Sequence, residues 1–69
     1  MSINFRKLKS QLKVVELNGE TGVFMRVTDE QKAKGLDPVF CANRSKNQAI
    51  KLLVDIMSFD SLMYDEFKL

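Results

Sequence analysis

The apolar positions of this chain change period partway along it. In LKVVELNGETGVFMRVT, residues 12–28, the second arm alternates: Val23, Met25 and Val27 on one side, Phe24, Arg26 and Thr28 on the other. Alternation of this kind is the pattern of a half-buried strand. Val14, Val15 and Leu17 favour a first strand, and Asn18-Gly19 through Gly22 supply residues suited to positive φ, so the segment predicts a β-hairpin. Val14 and Val15 are adjacent, which leaves either a bulge or a strand that is apolar on both faces. VFCA, residues 39–42, lies between Pro38 and Asn43 and suits a short third strand.

From residue 45 the period lengthens. Ser45 and Gln48 form a capping box directly before Ala49, Ile50, Leu52, Leu53, Val54, Ile56 and Met57. That run predicts the main helix, and its apolar surface is wide enough to need cover on two sides. Phe59, Leu62, Met63 and Phe67 keep helical spacing around a break at Asp60-Ser61, predicting a short C-terminal helix folded back on the main one. Two segments stay open. Residues 29–34 fit a short helix capped by Thr28 and Gln31 and closed by Gly35, and equally a charged loop ending at Asp37-Pro38. Residues 1–10, with Ile3, Phe5 and Leu8 leading to Leu12, fit a helix or an extended arm. The expected fold is α+β, one domain over residues 1–69: a small antiparallel sheet packed on one main helix with a short C-terminal helical extension.

Composition narrows the chemistry. At 69 residues, 45% apolar and 29% charged, the chain is a folded domain with a thin core. Self-association or a partner is an easy way to complete such a core. Cys41 is the lone cysteine and histidine is absent, so no intramolecular disulfide forms and the commonest general base is missing. Cys41 sits in an apolar run and reads as a small buried hydrophobe. Asp60, Asp65 and Glu66 match no calcium-loop spacing, and no phosphate-binding glycine motif is present. No enzyme, cofactor or metal is therefore expected. The N-terminal MSINFRKLKSQ lacks a leader-like apolar stretch, and no run approaches the ~20 apolar residues of a membrane span. A cytoplasmic protein without a membrane partner is the expectation.

Charge is unevenly placed within a net +2. Residues 1–15 carry Arg6, Lys7, Lys9 and Lys13 with no acid, whereas residues 55–69 carry Asp55, Asp60, Asp65 and Glu66 against Lys68. Either the two ends lie together and offset one another, or one cationic surface faces a polyanion. Two binding readings follow. In the first, the partner is a protein, held by Met63, Tyr64, Asp65 and Phe67, apolar anchors interleaved with an acid. Small motif-free chains of this kind are common among regulators and inhibitors, including those encoded by phages and mobile elements. In the second, nucleic acid is bound by Arg26, Lys32, Lys34, Arg44 and Lys46, the last two at a helix start whose N–H groups favour phosphate. Three strands followed by a helix, over residues 12–57, resemble in layout some phage-integrase arm domains and plant AP2 domains. That resemblance implies DNA reading by the sheet and includes no diagnostic motif. The protein-binding reading is preferred, because +2 is a modest charge for a nucleic-acid binder and the acidic tail repels phosphate.

Overall fold

Strand pairing fixes which side chains share a face. In the computed structural model of the chain, which describes residues 2–69, β1 (Leu12–Leu17) pairs antiparallel with β2 (Glu20–Met25) from Leu12↔Met25 to Leu17↔Glu20. β2 pairs antiparallel in turn with β3 (Val39–Ala42), from Gly22↔Ala42 to Met25↔Val39. The order is β1-β2-β3. Asn18 (φ 53°) and Gly19 (φ 80°) make the two-residue turn between β1 and β2, both in the left-handed region that suits the twist of a hairpin. Gly22 takes no part in that turn. The ladder has no bulge, so the adjacent valines are resolved the other way: Val14 faces one side of the sheet and Val15 the other.

Residues directly opposite in an antiparallel ladder point to the same face. Leu12, Val23, Met25 and Cys41 therefore line one face, and all are buried in the core. The helices supply the rest of that core. α1 (Phe5–Ser10) contributes Leu8, with Asn4 capping its start. α2 (Asp29–Ala33) is a helix and not a loop; Thr28 and Gln31 form its capping box, and Gly35 at φ 98° follows its end. α3 (Lys46–Met57) opens on the Ser45–Gln48 box and buries Ala49, Ile50, Leu53 and Met57. α4 (Ser61–Phe67), capped by Asp60, buries Met63 and Phe67 and packs on α3. The architecture is α+β, as the sequence pattern predicts.

The two ends of the chain lie together. Ile3 and Lys68 form an isolated antiparallel bridge, Asn4 N–H donates to the Phe67 carbonyl at 2.6 Å, and Leu69 N–H donates to the Ser2 carbonyl at 3.1 Å. Lys7 Nζ donates to the Glu66 carbonyl at 2.6 Å and stands 5.6 Å from the Phe67 ring centroid. Of the basic beginning, Lys7 thus meets the acidic end at Glu66. Phe5 departs from the expected apolar side of the N-terminal segment and is exposed, while Ile3, Leu8 and Leu12 are buried.

A polar clasp sits inside this assembly. The side-chain amides of Gln11 and Gln31 exchange hydrogen bonds of 2.7 and 3.1 Å, both residues being buried. Gln11 also donates to the Arg26 carbonyl at 2.8 Å, and Gln31 accepts from Thr28 N–H at 3.0 Å. Burial of two amides is tolerable because each is satisfied. The clasp holds α2 against the junction of α1 and β1.

Candidate binding face

The second face of the sheet carries Lys13, Val15 and Leu17 from β1, Glu20, Gly22 and Phe24 from β2, and Phe40 and Ala42 from β3. Val15, Phe24, Phe40 and Ala42 are only half-buried and lie outside the hydrophobic core cluster; Leu17 is 49% exposed. Phe24 and Phe40 are direct cross-strand partners. A Cβ placed on Gly22 would come within 2.9 Å of Phe40 Cζ, so the ring leans across the glycine backbone. The result is an apolar face with one charge of each sign within the strands. A partly open apolar face of this kind is a candidate interaction surface.

The tail anchors expected from the sequence are mostly consumed by the fold. Met63 is 3% exposed and Phe67 0%, both core residues, so neither is available to a partner. The helical spacing that suggested anchors is the spacing of a helix turned inward. Tyr64 is half-buried and Asp65 is exposed, its Oδ1 lying 3.5 Å from Lys68 Nζ. Together these two make no continuous surface with the buried pair.

The cations proposed for nucleic acid are divided. Arg26 follows the Met25↔Val39 pair, and Lys32 in α2 and Lys34 at its C-cap come just beyond it; Arg44 and Lys46 follow Ala42 at the opposite end of the sheet. The ladder between the two groups, from Met25↔Val39 to Gly22↔Ala42, spans three residue steps, about 10 Å at ~3.3 Å each. Lys34 is engaged, with its Nζ 3.1 Å from Glu66 Oε2 and 3.8 Å from Glu30 Oε1. Arg44 donates to the Ala42 carbonyl at 3.3 Å. At the start of α3, Ser45 Oγ accepts from Gln48 N–H at 3.3 Å and Gln48 Oε1 accepts from Ser45 N–H at 2.9 Å. This capping outweighs the few tenths of a kcal/mol by which two exposed cations disfavour a helix start. Alongside, an open groove of about 600 Å³ is lined by residues including Arg44, Gln48, Lys51 and Asp55.

Cys41 lies on the helix-facing side of β3. Burial pushes its thiol above the ordinary range, with Arg44 opposing weakly, which is the reverse of what thiolate chemistry needs. Among the described residues, no three His, Cys, Asp or Glu side chains converge as a metal site, and no helix is long and apolar enough to cross a membrane.

Glu66 ties three helices, through its side chain to Lys34 and its carbonyl to Lys7. The hydrogen bond from Lys34 holds the Glu66 carboxyl below its ordinary value, helped by attraction to Lys34 and Lys7; the same bond raises Lys34. A carboxylate depressed on folding contributes stability above its unfolded value, lost as pH falls through the folded one. Urea midpoints should therefore fall on the acid side of 4.5, and Glu66→Gln should flatten that part of the profile.

Comparison of the chain with family models, curated proteins and solved structures gives no match. The layout of three strands and a helix is present, and its likeness to DNA-reading domains has no further support.

Proposed function

We propose that this protein is a small non-catalytic binding protein whose partner is another protein, engaged through the second face of the sheet. The carrying observation is the set of half-buried Val15, Phe24 and Phe40 with exposed Leu17 on one sheet face, all outside the core cluster of the described residues. The chemistry of the face selects the partner class. One lysine and one glutamate cancel within the strands, so a polyanion gains little there, whereas an apolar segment of a protein gains from burying two aromatic rings. Regulation or inhibition by occupancy is the activity this surface supports. An amphipathic segment with an apolar side is the matching ligand chemistry.

The test pairs two variants. Phe24→Thr with Phe40→Thr keeps residues of high strand propensity while removing both rings. With circular dichroism unchanged, loss of a co-purifying protein partner in this variant, and its retention by Arg44→Glu with Lys46→Glu, is the expected result. Fluorescence anisotropy with duplex DNA and single-stranded RNA at low and moderate salt checks the competing partner class. Steeply salt-dependent binding abolished by Arg44→Glu with Lys46→Glu would overturn the proposal in favour of nucleic acid.

A further inference from the structure

The hydrogen-bond phase of the ladder shows which groups of β1 are unpaired. Arg26 N–H donates to the Gln11 carbonyl, so Lys13, Val15 and Leu17 direct their main-chain groups toward β2. Val14 and Glu16 therefore direct theirs outward, along an edge with no neighbouring strand. At that edge Val14 is 56% exposed on the helix side of the sheet, and Leu17 is half exposed on the other. Val14 and Glu16 are both exposed, so their side chains are not covered by the helical layer. Free strand edges carrying apolar side chains are templates for strand addition.

We infer that β1 of a second copy of this chain occupies the edge, giving a two-fold dimer with one continuous sheet. A two-fold axis between adjacent antiparallel strands stands perpendicular to the sheet, so helix-side faces stay on one side and each residue meets one of the same parity. Two registers satisfy this near the middle of the strand. Centring on Val14 sets Glu16 opposite Leu12 of the other copy, placing a carboxylate beside a buried core residue. Centring on Val15 instead sets Val15 against Val15 and Lys13 against Leu17. Glu20 is the cross-strand neighbour of Leu17, so the Lys13 ammonium reaches across Leu17 to the Glu20 carboxylate of the other copy.

Lys13 and Glu20 have no ion-pair partner within the described residues of one chain. They stand at opposite ends of the hairpin, which makes them complementary between copies and not within one. Val14 and Glu16 of the two copies then exchange main-chain hydrogen bonds. The dimer does not depend on the partner proposed above; it sets two copies of the aromatic face side by side on the same surface.

Sedimentation velocity over a dilution series from micromolar to millimolar tests this. A concentration-dependent dimer is expected. Lys13→Glu should weaken it about tenfold by setting like charges together. Adding Glu20→Lys should restore it, since the swap recreates the pair between copies. Val14→Pro removes an outward N–H without touching the β2 ladder and should give a folded monomer. Phe24→Thr with Phe40→Thr should leave dimerisation unchanged, which separates this interface from the partner face. A monomer at every concentration overturns the inference, and so does a dimer that ignores Lys13→Glu or is not rescued by the swap.

Discussion

Replacing Phe67 by alanine is expected to remove most of the stability of this domain. The ring is fully buried, its main-chain carbonyl receives the Asn4 N–H, and Lys7 stands over its face. Truncating a buried phenylalanine costs about 3–5 kcal/mol through lost transfer energy and the cavity left behind. A chain of this length has a total of roughly 3–10 kcal/mol, so the variant should melt at least ~12 °C lower or be unfolded at room temperature. Phe59→Ala is the comparison, because Phe59 is 80% exposed and its loss should stay within about 0.5 kcal/mol. Thermal melts by circular dichroism decide the matter. Equal melts for the two variants would mean that α4 does not close the core.

That contrast also explains what the sequence could and could not show. Capping boxes are local, and both Ser45–Gln48 and Thr28–Gln31 stand as the spacing predicts. The hairpin, β3, α3 and α4 are equally local patterns, and all are present. Residue placement between elements is a different matter. Phe67 and Phe59 belong to the same apolar periodicity, yet Phe67 closes α4 in the core while Phe59 sits exposed in the turn before the Asp60 cap. Phe67 is held by contacts from the opposite end of the chain, the Ile3–Lys68 bridge and the Asn4 N–H bond to its carbonyl, which sequence spacing cannot show. The Gln11–Gln31 clasp is likewise invisible in sequence, since neither glutamine stands in a motif with the other. Phe24 and Phe40 are the most instructive pair. Alternation does assign Phe24 to the mixed side of β2, away from Val23 and Met25. What the pattern lacks is whether anything covers that side, and aromatic residues default to the core. The register with β3 puts Phe40 on the same face.

Gly22 carries the second large effect, and it reports on that face. Glycine inside a strand is ordinarily a weak point, and alanine there should gain from lower unfolded-state entropy. Here the added methyl would lie 2.5 Å from the Cys41 carbonyl oxygen, 2.9 Å from Phe40 Cζ and 3.0 Å from the Ala42 Cα. Two of those neighbours are backbone, so β2 and β3 must separate for the methyl to fit. Gly22→Ala is therefore expected to destabilise by about 1–3 kcal/mol despite the favourable entropy. Adding Phe40→Thr relieves the ring contact but not the backbone ones, so the double variant should remain less stable than Phe40→Thr alone. Hydrogen exchange locates the damage: the amides of Val39 and Cys41, which face β2, should lose protection before those of α3. A Gly22→Ala protein as stable as the parent would place β3 farther from β2 than the register requires. The shared aromatic face of Phe24 and Phe40, which rests on that register, would then fail with it.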